Sequence, residues 1–104
     1  MDAAVERSRH LRQSILRVLF IHADAGLEIG YTAAELSNLV ADSIFGSDAA
    51  QTASQIRDLV ELNLVRKDDE SAPPRFLITV RGKDFARANY PWSKIDVYTG
   101  SQHA

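Results

Sequence analysis

The sequence predicts an α+β fold that is mostly helical, in the order helix, strand, helix, helix, strand, strand, helix. Two observations carry this prediction. Several long segments have apolar residues at the three- and four-residue spacing of amphipathic helices. Short apolar runs at residues 27–31, 64–65 and 76–78 are each bounded by turn-forming residues, as strands usually are.

The length and composition predict a single folded unit. The chain has 104 residues, of which 45% are hydrophobic and 25% charged, which suits one core and not two. We expect a domain over residues 1–90, followed by a C-terminal tail over residues 91–104. The tail is apolar enough to pack on the domain, on helix 1 in particular, or on a partner.

The first helix is predicted over about residues 4–23, with its second half buried. The apolar positions that recur at helical spacing are Leu11, Ile15, Val18 and Leu19, widened by Leu16, Phe20 and Ile21. The first half of this helix is rich in arginine and is expected to be exposed. The segment of residues 27–31 that follows alternates briefly, as a small strand would.

The second helix begins in "YTAAEL", where Thr32 and Glu35 have the spacing of a capping box. Its predicted buried stripe consists of Leu36, Leu39, Val40 and Ile44. Gly46 is expected to end it. The third helix should begin at Asp48 as N-cap and bury Ala53, Ile56, Leu59 and Val60. Asn63 tolerates the left-handed conformation that commonly ends a helix.

A β-hairpin and a fourth helix complete the prediction. The first strand begins at Leu64, the loop covers residues 68–74, and the return strand covers residues 76–78. Thr79 is the expected N-cap of helix 4, whose Phe85 and Ala86 should face inward until Pro91 ends it.

The element order and two sequence blocks resemble the winged helix-turn-helix family over residues 8–90. The blocks are "ASQIRDLVELNLVRK", in which Asn63 replaces the glycine usual after helix 3, and "FLITVRGKDFA", in which Ile78, Thr79 and Gly82 match a recurring motif. The size, the long connection between helices 2 and 3 and the proline-containing tail are also similar to small winged-helix proteins of Mu-like bacteriophages and prophages.

This resemblance implies a DNA-binding transcriptional regulator of phage or prophage type, with helix 3 in the major groove of double-stranded DNA. With Ile56 and Leu59 inward, the outward positions are Gln51, Thr52, Ser54, Gln55 and Asp58, with Arg57 toward one edge. Glutamine can bond to adenine, and serine or threonine to a base or a phosphate. A merely solvated helix face explains the same residues equally well. A dimer is expected because one such unit contacts little duplex.

The charges are separated along the chain, although the net charge is only -2. The candidate phosphate contacts are Arg7, Arg9 and Arg12 on helix 1, and Arg66, Lys67 and Arg75 on the hairpin stems. The middle segment, residues 28–61, has six carboxylates and a single cation. The hairpin tip also carries Asp68, Asp69 and Glu70, which are unfavourable beside phosphate.

Two other functions remain open. The acidic surface of helices 2 and 3 suits a non-enzymatic protein-protein interaction module with a host or phage protein as its partner. Alternatively, helix 1 and the apolar tail residues 92–98 suit a dimeric scaffold. The charges also have a simpler explanation that implies no function. Many of them can pair along a helix, as Asp84 and Arg87 would.

The sequence lacks the residue patterns of catalysis and metal binding. It has no cysteine, and its histidines at positions 10, 22 and 103 are far apart. No phosphate-binding glycine loop or nucleophile motif is present. We therefore expect no enzyme activity, catalytic residue, metal or cofactor. No run approaches the roughly 18 apolar residues of a membrane span, so a cytoplasmic protein without membrane contact is expected.

Overall fold

The computed structural model describes residues 3–27, 29–40, 49–88, 95–96 and 101–102, with side chains over 6–27, 29–40 and 49–88. The helices of these residues are α1 (Ala3–Asp24), α2 (Ala33–Leu39), α3 (Ala49–Glu61) and α4 (Val80–Ala88). The strands are β1 (Val65–Asp68), β2 (Arg75–Ile78), β3 (Ile95–Asp96) and β4 (Ser101–Gln102). The predicted α+β, mostly helical class is confirmed, and the layout is compatible with a small winged-helix-like arrangement.

Helix α1 supplies one wall of the core. It covers the predicted range, and its Leu11, Ile15, Leu16 and Leu19 are buried. Helices α3 and α4 and strand β2 pack against it. Ile21 was expected to widen the apolar stripe, but it is 47% exposed. The four buried positions are three to four residues apart, and Ile21 lies outside the face that they define.

Helix α2 begins with the predicted capping box. The amide of Glu35 donates to Thr32 Oγ1 at 3.1 Å, and the amide of Thr32 donates to Glu35 Oε1 at 2.9 Å. Leu36 and Val40 are buried, whereas Leu39 is 45% exposed and its predicted inward position is wrong. Because Leu36 and Val40 are four residues apart, they define the inward line and Leu39 falls beside it. Ile44, Gly46 and Asp48 lie outside the described residues.

The carboxylate of Glu35 gives this capping box a pH dependence. The hydrogen bond from the backbone of Thr32 is the main cause that holds the pKa of Glu35 below its ordinary value of 4.5, with help from Arg75. A carboxyl pKa that is lower in the folded state stabilises the fold above pH 4.5, and this contribution is lost as the pH falls through the folded-state pKa.

We therefore expect the Glu35→Gln variant to be less stable than the parent protein above pH 4.5. The difference between their free energies of unfolding should shrink as the pH falls below 4.5. Glutamine can keep the capping hydrogen bond but cannot titrate. Urea unfolding followed by circular dichroism at several pH values measures the difference. A difference that stays constant across this range contradicts the assignment of the carboxylate to the cap.

The hairpin of β1 and β2 is antiparallel, with Val65 opposite Ile78 and Asp68 opposite Arg75. Tyr31 adds one bridge on the far side of β2, exchanging two backbone hydrogen bonds of 3.0 and 2.8 Å with Phe76. The small strand predicted over residues 27–31 is reduced to this bridge. Gly30 has a φ of 76°, which bends the chain immediately before Tyr31 and prevents a longer extended segment.

The turn between α3 and β1 and the start of α4 form as predicted. Asn63 has a φ of 62°, in the left-handed region that ends a helix. Thr79 Oγ1 accepts from the amide of Gly82 at 2.9 Å and donates to the carbonyl of Asn63 at 2.7 Å. Thr79 therefore caps α4 and ties its first turn to the end of α3. Ala86 is buried and Phe85 packs against the core, as expected.

The described part of the tail consists of β3 and β4, which pair antiparallel, with Ile95 opposite Gln102. Strand β3 lies beside α1. Pro91, Trp92 and Tyr98 lie outside the described residues. Among the helices described, none combines the length and the hydropathy needed to cross a membrane.

Candidate functional site

Helix α3 is rotated relative to the sequence prediction. Ile56 and Leu59 are inward as expected, but they are joined by Thr52, which is fully buried, and by Gln55, which is 8% exposed. The predicted outward positions of Thr52 and Gln55 are therefore wrong. The predicted inward position of Ala53 is also wrong, because this residue is exposed.

Packing explains this rotation. The buried residues of α3 follow the three- and four-residue spacing of one helix face, and they are Thr52, Gln55, Ile56 and Leu59. An alanine buries only one methyl group, so Ala53 gains little from the core compared with the larger Ile56 and Leu59. A polar side chain such as Gln55 can take the remaining inward position only where it finds a hydrogen-bond partner.

Arg12 of α1 is that partner. Arg12 is 3% exposed, its Nη1 donates to Gln55 Oε1 at 2.5 Å, and the same nitrogen lies 3.5 Å from Asp58 Oδ2. The prediction that Arg12 is an exposed phosphate contact is wrong. Burial of a guanidinium requires a nearby counter-charge, and Asp58 supplies it. Its position one residue after Leu11 and four before Leu16 is the sequence signal that could have indicated a place on the buried face of α1.

Up to position 57, the exposed side of α3 carries small side chains, Gln51 and one cation. We call it the α3 surface and define it by Ala50, Gln51, Ala53, Ser54 and Arg57. Gln51 and Arg57 are exposed as predicted, and Ser54 is half-buried. Arg57 makes no ion pair with any residue that the structure describes. No carboxylate lies between positions 49 and 57, and the adjacent Asp58 is engaged by Arg12.

One helix 1 arginine lies beside the α3 surface. Arg7 is exposed and lines a cleft of about 100 Å³ between α1 and α3, together with Ser8, Leu11, Gln51 and Gln55. Arg9, by contrast, forms an ion pair with Glu6 on its own helix. Of these two predicted phosphate contacts, Arg7 therefore lines the same cleft as Gln51. Arg9 is instead paired within α1.

The predicted hairpin-stem cations have separate environments. Arg75 donates to the carbonyl of Gly30 at 3.1 Å and lies 3.5 Å from Glu35, so it connects β2 to the start of α2. Lys67 lies 3.3 Å from Asp69, and Arg66 is exposed on the opposite face of the hairpin from Val65. The Asp84 to Arg87 pair that the spacing predicts is confirmed at 3.6 Å.

Two exposed residues of the site were missed by sequence reasoning, namely Ala50 and Ala53. Thr52, Gln55, Ile56 and Leu59 share one face of the helix at three- and four-residue spacing. With this face inward, Ala53 lies on the exposed side. Within the part of the chain whose side chains are described, no cluster of His, Asp or Glu residues has a geometry suited to a metal ion.

No protein-family model, curated protein or solved structure matches this chain.

Proposed function

We propose that this protein binds double-stranded DNA as a small winged-helix domain and acts as a transcriptional regulator of phage or prophage type. The α3 surface would enter the major groove. The observation that carries this proposal is the charge arrangement of α3: from position 49 to position 57 its exposed side has Arg57 and no carboxylate, Arg12 pairs with the flanking Asp58, and the exposed Glu61 lies at the far end of the helix. A cationic face favours phosphate, and the internal pair removes the nearest repulsion.

The small side chains of the α3 surface support close contact with DNA. Ala50, Ala53 and Ser54 leave the helix backbone room to approach the bases. An alanine methyl can pack on the methyl group of thymine, and a serine hydroxyl can bond to a base or a phosphate. Gln51 would pair with adenine and Arg57 with guanine or a phosphate, while the adjacent Arg7 holds the neighbouring backbone.

The strand arrangement supports the winged-helix assignment. The order helix, short strand, helix, helix, strand, strand, helix is that of a winged helix-turn-helix domain. Tyr31 supplies the short strand here through its bridge to Phe76. The exposed Arg66 on the hairpin is available for a backbone contact beside the groove.

The alternative, an acidic interaction module, has less support from the described residues. Of the carboxylates expected to form its surface, Glu35 is bound in the capping box and near Arg75, and Asp58 is paired with Arg12. Both charges are therefore satisfied within the domain, and only Glu61 is exposed on described α3.

DNA binding is tested by titrating the protein into a labelled mixed-sequence duplex and following fluorescence anisotropy. We expect binding that weakens steeply between about 50 and about 200 mM salt, because counterions are released from phosphate. Arg57→Glu should weaken binding by at least about fivefold, since loss of one arginine contact costs about 1 to 3 kcal/mol.

Arg17→Glu is the matched control. Arg17 is also exposed and makes no ion pair with a described residue, but it does not line the cleft between α1 and α3. The two variants change the net charge equally, so a simple charge effect predicts the same loss for both. Equal losses, or no binding at micromolar protein in low salt, would rule out the proposed use of α3.

A further inference from the structure

One side chain in the cleft between α1 and α3 is almost buried and yet has hydrogen-bond donors without a partner. This side chain is Gln55, which lines the cleft and is 8% exposed. Polar groups that a protein takes out of bulk water are nearly always hydrogen-bonded, so a donor left over at such a position calls for an explanation.

The contact with Arg12 determines which end of the Gln55 amide faces the cleft. A guanidinium can only donate, so Arg12 must meet the oxygen of this amide, and its Nη1 lies 2.5 Å from Gln55 Oε1. The amide nitrogen, Nε2, is left with two N–H donors, and these bond to no residue that the structure describes. Nε2 is also not among the enclosed side-chain atoms that lack a partner, so it reaches the surface of the cleft.

Arg7 brings a positive charge to the same cleft. It is exposed, and it makes no ion pair within the described part of the chain. Its guanidinium has five N–H donors and no acceptor. Together, the donors of Arg7 and of Gln55 Nε2 suit an anionic group with several acceptor oxygens, because hydrogen bonds to a charged acceptor are the stronger ones.

The volume and the position of the cleft indicate where such a group comes from. The cleft measures about 100 Å³, whereas one water needs about 10 to 15 Å³ and a complete small-molecule ligand usually occupies about 300 to 1,000 Å³. It therefore has room for one charged group of a larger ligand. Gln51 belongs both to the cleft and to the α3 surface, so this larger ligand is the one that the α3 surface binds.

We propose that the cleft holds one phosphate of the DNA backbone, which accepts hydrogen bonds from Gln55 Nε2 and from Arg7. This inference rests on the proposed binding of DNA by the α3 surface. A phosphate held at this point fixes the position of α3 along the duplex and carries no sequence information. Gln55, which the sequence predicted as a base contact, thus serves the backbone.

Gln55→Glu tests the donor in DNA binding. The variant keeps a side-chain oxygen for Arg12 but replaces the amide nitrogen with a second oxygen, which repels a phosphate. We expect the affinity measured by fluorescence anisotropy to fall at least about fivefold, and by the same factor for duplexes of different sequence. Asn38→Asp is the matched control, because it makes the same amide-to-carboxylate change at an exposed position of α2 outside the cleft.

Arg7→Gln provides a second test that does not alter a buried position. It should reduce the slope of log affinity against log salt concentration by about 0.9, which corresponds to one phosphate contact. Arg17→Gln is its control, because Arg17 is an exposed arginine of α1 that does not line the cleft. Circular dichroism checks that all four variants fold.

A titration without DNA separates this inference from the proposed function. Dimethyl phosphate has the chemistry of a single backbone phosphate, and it can be added to the ¹⁵N-labelled full chain while NMR follows the side-chain amide signals. The Gln55 signals should shift saturably, and Arg7→Gln should weaken this binding at least about threefold. Saturating duplex DNA should abolish the shift, because the DNA phosphate then occupies the cleft.

Three results would overturn the proposal. Gln55 signals that do not respond to dimethyl phosphate would show that the cleft accepts no phosphate. A shift that persists in saturating DNA would assign the cleft to a free anion. A loss of DNA affinity in Gln55→Glu that equals that of Asn38→Asp, or that differs between duplex sequences, would remove the backbone contact. In each case the proposed function stands if the parent binds DNA and Arg57→Glu weakens this binding.

Discussion

Gly82→Ala is expected to lower the free energy of unfolding by about 2 to 3 kcal/mol, because an added methyl group has no room. A Cβ at this position would lie 2.2 Å from the carbonyl oxygen of Leu64 and 2.7 Å from Ile78 Cγ1. The Leu64 carbonyl already accepts from the amide of Thr79 at 3.1 Å. Moving α4 away to relieve the contact would therefore disturb the bond that holds its first turn.

The expected loss is a net value, because alanine is favoured over glycine inside a helix by about 1 kcal/mol. Urea unfolding followed by circular dichroism measures it. Arg81→Ala is the control, since this neighbouring side chain is exposed and should change stability by no more than about 0.5 kcal/mol. A Gly82→Ala protein as stable as the control would show that α4 does not lie this close to Leu64.

Arg12→Met is expected to cost about 2 to 3 kcal/mol of stability, because a hydrogen bond to a charged group is worth about 1.5 to 3 kcal/mol. Methionine preserves much of the apolar volume, so the loss reports the polar contacts and not a cavity. The substitution leaves Gln55, which is 8% exposed, without the donor at 2.5 Å that its side-chain oxygen has in the parent. Chemical unfolding provides the measurement.

Two further variants separate the parts of this cluster. Arg12→Met combined with Gln55→Leu should recover at least about 1 kcal/mol relative to Arg12→Met alone, because no buried polar group then lacks a partner. Asp58→Asn should cost about 1 to 3 kcal/mol, because it removes the counter-charge of the buried Arg12 guanidinium. An Arg12→Met loss below about 0.5 kcal/mol, as for an ordinary surface substitution, would contradict the buried bond to Gln55.

The burial of Arg12 also decides which arginines can be substituted in a test of DNA binding. Charge reversal at Arg12 would place a carboxylate beside Asp58 inside the domain, so any loss of DNA binding would follow from unfolding. Arg7 and Arg57 are exposed and avoid this difficulty.

The elements whose causes are local were predictable from the sequence. The capping box of Thr32 and Glu35, the left-handed Asn63 and the Thr79 cap each depend on residues within a few positions. The hairpin also formed where the apolar runs and its proline-containing loop placed it. A short strand before helix 2 was predicted, but its restriction to Tyr31 was not predictable, because the single bridge depends on Phe76, which is remote in sequence.

The candidate site was predicted less well because its orientation depends on long-range contacts. The inward position of Gln55 depends on Arg12, which contacts it across 43 positions of the chain. Sequence reasoning treated Arg12 as one of several surface arginines and Gln55 as a base contact. Arg57 and Gln51 remained exposed because the rotation of α3 moved other positions inward.

The contact of Arg12 with both Gln55 and Asp58 has a consequence for how such a domain can diversify. These two residues are three positions apart on α3, so the guanidinium adds to the packing of Ile56 and Leu59 in holding this face of the helix inward. The positions that any binding partner meets are thereby set from inside the protein. Substitutions at Ala50, Ala53, Ser54 and Arg57 can then alter partner preference in evolution without repacking the core.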